Sequence, residues 1–332
     1  MKKYKIAVVG ATGLVGRKVI DVLQEYNLPI SVCEFFATRR SAGTDFFFNG
    51  KQYIVRELKE DSFDEGFDYA IFAAGGDAAR EYAPIANSKG CIVIDNSSAF
   101  RMDPEVPLVV PEVNSEDIKK NRGIIANPNC STIQAVLPLK VLDDKYKIKR
   151  IVYSTYQAVS GAGHAGIEDL ENGIEGEPPK KFPYPIFNNC IPQIDTFLEN
   201  GYTKEEEKMI NETRKILNRP DLKITATTVR VPVLNSHSES INVEFENDFD
   251  LAELKESLSN YPGIFVQDDP EHLVYPLARQ ATNHDEVFVG RIRRDYSVDS
   301  GINFWCVADN IRKGAASNAV QILQKLIELD NE

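Results

Sequence analysis

Short apolar runs alternate with helical repeats over the first part of the chain. The runs that predict β-strands lie at 5–9, 30–37, 68–74, 91–95 and 123–126. Apolar residues recur with helical spacing over 13–26, and 77–88 has a helical pattern too. Strands that alternate with helices are typical of a parallel sheet joined by right-handed crossovers. The pattern therefore predicts an α/β domain with a Rossmann-like parallel sheet.

The pattern changes in the middle of the chain. Longer runs, several of them alternating, lie at 150–159, 222–233, 240–245, 286–294 and 301–308. Few helices separate the last of these runs, which favours a mixed sheet in a second, α+β domain. The stretch 161–193 is rich in Gly, Pro and Asn and is predicted to be a long insertion between elements of the second domain, not a linker.

Two helices complete the prediction, a polar one over 203–218 and a closing one over 311–329. We place the first domain at 1–129 together with 312–332. The second domain is placed at 130–311.

Composition excludes some functions. The chain has 332 residues and a net charge of −12, which argues against a nucleic-acid-binding protein but allows a local anion site. Five widely spaced cysteines without a C-x-x-C motif favour free thiols in a reducing compartment over disulfides or a metal site. No run approaches the ~20 apolar residues of a membrane span, and the first residues lack the apolar segment of a signal peptide. A cytoplasmic protein is expected.

A glycine-rich loop joins the first predicted strand to the first helix. Backbone N–H groups and the helix N-terminus at such a turn can hold a pyrophosphate. The spacing is G-x-x-G-x-x-G, not G-x-G-x-x-G, so a strand–helix turn without a ligand is an open alternative. The residues predicted to bind a dinucleotide are Gly10, Thr12, Gly13, Leu14 and Val15.

The end of the second strand distinguishes the two nicotinamide cofactors. NAD enzymes usually place an acidic residue there for the ribose hydroxyls. This chain has Thr38-Arg39-Arg40-Ser41, and guanidinium and hydroxyl groups suit a 2′-phosphate. We therefore predict NADP, bound through Arg40 and Ser41. Two solvated arginines on a loop are the alternative.

One cysteine stands directly before an apolar helical pattern, in Asn-Pro-Asn-Cys-Ser-Thr ending at Thr132. Cys130 is thus expected at a helix N-terminus, where the dipole and free N–H groups stabilise a thiolate and could hold an oxyanion. The alternative is a small buried hydrophobic residue. Cys33, Cys91 and Cys306 lie within predicted strands and are expected to be core residues.

With these motifs in place, the chain resembles the aspartate-semialdehyde dehydrogenase family over almost its whole length. DNSSAFR at 95–101 resembles the family's phosphate-binding loop, and TYQAVSGAG at 155–163 its glutamine and nicotinamide segment. RVPV followed by HSE, within 230–239, is similar to its substrate-arginine and histidine motif. DNIRKGAA at 309–316 is similar to its last cofactor motif.

The resemblance implies catalytic roles. Cys130 would attack the carbonyl carbon, and His237 would take and return the proton, since imidazole titrates near neutral pH. Gln157 would orient the thiol and the carbonyl. Asn129 would assist the oxyanion.

The resemblance also implies the residues that bind substrate. Arg230 would pair with the α-carboxylate, for which a guanidinium fork is suited, and Glu205 would meet the ammonium group. Arg101 and Lys208 would hold phosphate. Glu205 and Lys208 are three residues apart on one helix face, so a plain surface ion pair is the alternative.

Ser160, Gly161 and Asn310 are the matched residues that would complete the cofactor site. The implied reaction is reduction of β-aspartyl phosphate by NADPH through a cysteine thioester, giving aspartate semialdehyde and phosphate. It would serve the biosynthesis of lysine and diaminopimelate, methionine, threonine and isoleucine. The family pairs through the second-domain sheet, so a homodimer or a dimer of dimers is implied, with no nucleic-acid or membrane partner.

Two other acyl-phosphate reductases share the cysteine chemistry. N-acetyl-glutamyl-phosphate reductases typically have Gly-Cys-Tyr-Pro-Thr around the nucleophile, and glyceraldehyde-phosphate dehydrogenases have Ser-Cys-Thr-Thr-Asn. This chain has Asn-Cys-Ser-Thr-Ile-Gln. A cofactor-binding regulator without turnover would be expected to lose Cys130, His237 or Gln157, and all three are present.

Overall fold

The computed structural model describes residues 2–331. The chain divides into two compact units, one formed by the residues up to Asn129 together with those from Ala315 onward, the other by Cys130–Gly314. The chain therefore passes into the second unit at the cysteine singled out above. It returns slightly later than the predicted boundary at 312.

The first unit contains a parallel sheet in the order β5-β2-β1-β6-β7-β8. Its strands are β1 (Tyr4–Val9), β2 (Ile30–Ala37), β5 (Arg56–Glu57), β6 (Tyr69–Phe72), β7 (Ile92–Asp95) and β8 (Ile124–Ala126). A separate hairpin, which the sequence analysis did not predict, consists of β3 (Asp45–Phe48) and β4 (Lys51–Ile54).

Helices cover both faces of this sheet. The first unit contains α1 (Leu14–Glu25), α2 (Gly76–Ser88), α3 (Pro111–Asn114) and α9 (Asn318–Asp330). Successive residues of β1 point to opposite faces: Ile6 and Val8 join the core beneath α1 and α9, and Ala7 and Val9 join the core beneath α2. The apolar pattern of β1 thus produces the predicted doubly covered, Rossmann-like sheet.

The second unit contains a mixed sheet in the order β10-β9-β11-β14-β13-β12. Its strands are β9 (Ile148–Gln157), β10 (Lys223–Arg230), β11 (His237–Phe245), β12 (Ile264–Val266), β13 (Val287–Arg294) and β14 (Gly301–Ala308). The pairs β9/β10 and β12/β13 are parallel and the others antiparallel, which confirms the predicted mixed sheet.

The helices of this unit are α4 (Cys130–Tyr146), α5 (His164–Ile174), α6 (Lys204–Ile216), α7 (Leu251–Ser259) and α8 (Ala278–Ala281). Most residues of α4 are buried, because the helix packs against both the sheet and α6. Within residues 2–331, no helix is long and apolar enough to cross a membrane.

The strand register brings several chain segments to one edge of the mixed sheet. Gln157 and Arg230, the last residues of β9 and β10, are direct partners in a parallel pair. His237, the first residue of the antiparallel β11, pairs with Ala308 at the end of β14. Parallel strands end at the same edge, and an antiparallel neighbour begins there. Side chains from four strands therefore meet at one place.

Candidate active site

Cys130 is the first residue of α4, which confirms the predicted position at a helix N-terminus. Its side chain is half-buried, and the backbone of Gly314 lies so close that an added Cβ there would come within 2.9 Å of the Cys130 Cβ. Cys33, Cys91 and Cys306 are buried core residues, as predicted. Burial raises the pKa of the Cys91 thiol to about 12, so this thiol stays protonated and unreactive at neutral pH.

His237 is fully buried and is fixed by one backbone bond. Its Nδ1 accepts the N–H of Ala158 at 3.0 Å. The neutral ring therefore carries its hydrogen on Nε2, which has no hydrogen-bond partner within residues 2–331. Burial lowers the pKa of His237 well below its usual range, and the charge of Arg230 lowers it further. The ring is thus a neutral donor with its N–H available for a ligand.

Arg230 is a buried cation whose Nη1 donates to the carbonyl oxygen of Ala158 at 2.6 Å. Burial lowers the pKa of Arg230, and the electrostatic influence of Glu205 and Cys130 offsets this lowering only in part. Arginine keeps its charge despite such shifts. The influence of both acidic groups places the guanidinium in the same electrostatic environment as the thiol.

Gly161 explains how Arg230 and His237 can approach each other. A Cβ added at Gly161 would lie 2.8 Å from Nη1 of Arg230 and 3.2 Å from Nε2 of His237. The turn formed by Val159–Ala162 therefore presents bare backbone to both side chains. A larger residue would displace one of them.

Glu205 lies between an amide and an ammonium group. Its carboxylate accepts from Nε2 of Gln157 at 3.3 Å and from Nζ of Lys208 at 3.2 Å. Lys208 also contacts Asp195 at 2.9 Å. Burial lowers the pKa of Lys208, but the two carboxylates outweigh it, and the net pKa is raised. Because only 5% of Glu205 is exposed, the pair is not a plain surface ion pair.

Glu205 is one of three consecutive glutamates with different environments. Glu206 is structural: its carboxylate accepts the N–H of Thr203 at 2.7 Å, which caps α6, and that of Thr228 at 3.0 Å. Glu207 bonds to amide side chains nearer the surface. Of the three, Glu205 is therefore the one that contacts Gln157.

Ser160 and Asn310 are brought together within the second unit. Nδ2 of Asn310 donates to Oγ of Ser160 at 3.0 Å, and its Oδ1 accepts the N–H of Ser236 at 2.9 Å. Both predicted cofactor residues are buried. They join the Val159–Ala162 turn to the segment after β14.

Two acidic groups of the site were not predicted from the sequence: Glu239 on the strand of His237, and Asp195 beside Lys208. Glu239 follows His237 by two on β11, so both side chains point to the same face, and Glu239 is fully buried. Burial raises the pKa of Glu239 well above its usual range, the charge of Glu205 adds to the rise, and the Ser131 hydroxyl opposes it. The period-2 pattern of the strand could have identified Glu239. Asp195 lies in an irregular segment with no comparable signal.

In the first unit, the glycine loop has the geometry that a pyrophosphate requires. Gly13 precedes α1 as its N-cap and provides no side-chain cap to the first N–H groups. Gly10 has φ +81, and a Cβ there would lie 2.7 Å from the Ala73 backbone. A Cβ at Gly16 would come within 2.1 Å of the Gly10 carbonyl. Small residues and an open helix terminus therefore fit a dinucleotide. Thr12 lies half-buried in the same loop, and Leu14 and Val15, the first two residues of α1, are half-buried as well.

The residues predicted to read the 2′-phosphate follow β2 in a tight turn, in which the Thr38 carbonyl accepts the N–H of Ser41. Arg39 and Arg40 are exposed, and within residues 2–331 neither forms an ion pair with a carboxylate. These positive groups are therefore accessible to an anion.

Arg101 and Asn129 also belong to the first unit, and both are buried. Arg101 donates from Nε to the Asn127 carbonyl at 2.9 Å and from Nη2 to the Asn96 carbonyl at 2.8 Å. These bonds hold the loop that follows β7. Asn129 directly precedes Cys130 in the chain.

Known families match both units. Residues 5–121 match the family described as semialdehyde dehydrogenase, NAD binding domain, and residues 139–313 match semialdehyde dehydrogenase, dimerisation domain. The aspartate-semialdehyde dehydrogenase of Aquifex aeolicus is 52% identical over 98% of each chain.

Solved structures agree with these matches. Aspartate semialdehyde dehydrogenase II from Vibrio cholerae, crystallised in complex with ASA, has a TM-score of 0.95 at 45% identity and covers 99% of each chain. The aspartate semialdehyde dehydrogenase of Candida albicans, crystallised with NADP, has a TM-score of 0.78 at 26% identity and covers 98% of each chain. Similarity at this level extends over nearly the whole sequence and both sheets. The chain belongs to the aspartate-semialdehyde dehydrogenase family.

Proposed function

We propose that the chain reduces β-aspartyl phosphate to aspartate β-semialdehyde, with release of phosphate, through a thioester on Cys130. One observation carries the assignment of roles. Gln157, Arg230 and His237 meet at one edge of the mixed sheet, and Arg230 lies within the electrostatic influence of Cys130. A nucleophile at a helix N-terminus, a neutral N–H donor and a cation for a carboxylate are the groups that this reaction needs.

The first step forms the thioester. The Cys130 sulfur attacks the acyl carbon, and collapse of the tetrahedral species breaks the bond from that carbon to the phosphate oxygen, which leaves with the electron pair. The N–H groups at the start of α4 and the Nε2–H of His237 stabilise the oxyanion, helped by Asn129. Gln157 orients the reacting groups.

The second step releases the aldehyde. NADPH, when bound, supplies a hydride. The chain's own residues hold the thioester carbonyl in place, and the His237 Nε2–H again donates to its oxygen. Breaking the C–S bond then returns the Cys130 thiolate. The predicted proton uptake by His237 would require Nδ1 to give up its bond from the Ala158 N–H, because Nε2 already carries the hydrogen.

Substrate groups are assigned by charge. Arg230 binds the α-carboxylate through its remaining guanidinium donors, and the buried Glu205 meets the ammonium group. Lys208 and Arg101 bind the phosphate. Lys208 supports this role because two carboxylates keep it charged while it is largely buried.

The cofactor is NADP. The glycine loop holds the pyrophosphate through Gly10, Thr12, Gly13, Leu14 and Val15. The 2′-phosphate is bound by Arg40 and Ser41, and the nicotinamide end by Ser160, Gly161 and Asn310. Residues 1–129 with 312–332 thus serve as the cofactor-binding domain, and residues 130–311 as the catalytic and dimerisation domain.

We further propose that the enzyme is a cytoplasmic homodimer, or a dimer of dimers, in amino-acid biosynthesis. Support for pairing comes from the dimerisation-domain match over 139–313 and from exposed aromatic residues on the mixed sheet, among them Tyr156 and Phe265. Sedimentation velocity tests the assembly. A species of monomer mass at micromolar concentration would contradict it.

The activity is tested by following NADP+ reduction with aspartate semialdehyde, which runs the reaction in reverse. Turnover should require phosphate, because phosphate must cleave the thioester to complete the cycle. Reduction at the same rate without phosphate would contradict an acyl-phosphate product.

Arg230→Lys tests the substrate assignment. A lysine keeps the charge but lacks the bidentate fork, so kcat/KM for aspartate semialdehyde should fall by about a hundredfold, the usual cost of misplacing a reacting carbon by an ångström. Propanal, which has no α-carboxylate, should be a poor substrate for the wild type and unaffected by the change. An equal loss for both aldehydes would assign Arg230 a structural role.

A further inference from the structure

The segment 180–191 supports Arg230 from two directions. The ring of Phe182 lies against the guanidinium, with 5.7 Å from the Arg230 Cζ to the ring centroid. Ile191 pairs with the backbone of Arg230 through two hydrogen bonds of 2.8 and 2.9 Å. The segment thus contacts both the side chain and the main chain of the same arginine.

Asp169 of α5 fixes the position of Phe182. Its carboxylate accepts three backbone N–H groups, those of Lys180, Lys181 and Phe182, each at 2.8 Å. Burial raises the pKa of Asp169, but these three bonds outweigh it and the net pKa is lowered. The group is therefore an ionised carboxylate at neutral pH, and its two oxygens hold the turn that carries the aromatic ring.

A small apolar cluster holds the ring from behind. It is formed by buried residues of the Val159–Ala162 turn, α5 and the segment 180–191, with Phe182 packed against them. Gly166 of α5 shows how close this packing is, because an added Cβ there would lie 3.2 Å from Cζ of Phe182. The ring is consequently held between α5 and the guanidinium.

This arrangement restricts a flexible cation. The side chain of Arg230 is buried and has a carbonyl on one side, and the Phe182 ring lies against its guanidinium. A stacked aromatic ring attracts a cation and limits its rotation. A guanidinium fixed in this way keeps its planar fork directed at a carboxylate before substrate arrives, which lowers the entropic cost of binding.

We propose that Asp169 and Phe182 are positioning residues that hold the Arg230 guanidinium for the substrate carboxylate, and so set the preference for aldehydes that carry an α-carboxylate. The inference rests on the proposed role of Arg230. It assigns the irregular segment after α5 to substrate selection. If the segment only covered the core, substitutions in it would change kcat/KM for aldehydes with and without an α-carboxylate to the same extent.

The test compares Phe182→Leu with Phe182→Tyr and with Tyr184→Leu. Leucine keeps apolar bulk but removes the aromatic face, and tyrosine restores it. Tyr184 is an exposed aromatic residue of the same segment and provides the matched control. Each variant is assayed with aspartate semialdehyde and with propanal, at saturating NADP+ and phosphate.

Phe182→Leu should lower kcat/KM for aspartate semialdehyde by roughly two- to thirty-fold, the range expected for a lost cation–π contact, mainly through a higher KM. Propanal should be unaffected, Phe182→Tyr should restore the value, and Tyr184→Leu should change neither aldehyde. Equal losses for both aldehydes, or no loss for either, would overturn the proposal.

Asp169→Asn is a second test of the same positioning role. The amide has one acceptor oxygen where the carboxylate has two, and its NH2 would face backbone N–H groups. The same selective loss is expected, with a circular dichroism spectrum matching that of wild type. If the wild type itself failed to reduce NADP+ with aspartate semialdehyde, the proposed function would fail. If the wild type were active and Phe182→Leu had the wild-type kcat/KM for both aldehydes, only the positioning role of Phe182 would be contradicted.

Discussion

Gly161→Ala is the substitution that most directly tests whether Arg230 and His237 form the site. The new methyl group would lie 2.8 Å from Nη1 of Arg230 and 3.2 Å from Nε2 of His237. Comfortable contacts between heavy atoms of this kind are about 3.5–4 Å. At least one of the two side chains, or the turn itself, must therefore move by roughly 0.7 Å.

The Arg230 side chain has little room to move. Its Nη1 is bonded to the Ala158 carbonyl at 2.6 Å, and Phe182 lies against the guanidinium. Because a misplacement of about an ångström can cost a hundredfold in rate, kcat/KM for aspartate semialdehyde should fall by about ten- to a hundredfold. The glycine is exposed, so the effect on thermal unfolding should be small.

The assay is kcat/KM for the semialdehyde at saturating NADP+ and phosphate, with NADP+ affinity measured separately by titration. Saturation separates the effect on Arg230 from any weakening of the cofactor site. Gly75→Ala at the start of α2 is the control, because the backbone there is extended and an added methyl would meet no atom within 4 Å. A folded Gly161→Ala enzyme with wild-type kcat/KM would refute the placement of Arg230 and His237 against the substrate.

Three further predictions concern other parts of the molecule. Cys130→Ala should abolish turnover with NADP+ binding nearly intact, and residual NADP+ reduction above about a hundredth of the wild-type rate would exclude the thioester. Arg40→Ala combined with Ser41→Ala should raise KM for NADPH far more than for NADH, since only NADPH carries the 2′-phosphate; equal increases would show that this turn does not read it. Burial raises the pKa of Glu239 in the folded state above its unfolded value near 4.5. The stability that the neutral Glu239 carboxyl contributes is therefore fully present below pH 4.5, and it is lost as the pH rises toward the folded-state pKa. The Tm of Glu239→Gln, measured by calorimetry, should therefore exceed that of wild type by more at pH 9 than at pH 5. A Tm difference between the two proteins that does not change with pH would contradict a neutral buried carboxyl.

Local sequence patterns were sufficient to predict features that depend on a single strand, helix or turn. The apolar period and the glycine loop predict β1, α1 and β2, because a parallel strand that is buried on both faces has a nearly continuous apolar run. Cys130 was correctly placed at the start of α4 because the apolar helical pattern begins directly after it. These inferences depend on neighbours in sequence.

Some elements that are stabilised mainly by packing against other elements were not predicted. The helix α5 begins after Gly163 without a side-chain cap, in a stretch that contains many Gly, Pro and Asn residues. Its partners are the turn at Val159–Ala162 and the segment 180–191, and contact with them supplies the burial that local propensity lacks. The hairpin of β3 and β4 is missed for a similar reason, because its aromatic residues find partners on β2.

The amino-acid sequence by itself determined the fold class, the nucleophile at a helix N-terminus and the family, because these follow from periodicity and from motifs read along the chain. Only the tertiary structure decided which of three consecutive glutamates contacts Gln157, and that Nδ1 of His237 is engaged by the backbone. It also decided that Phe182 lies against Arg230, which is distant in sequence. Strand register and packing determine these contacts, and both arise from residues far apart in the chain whose burial is favourable only when the whole domain assembles.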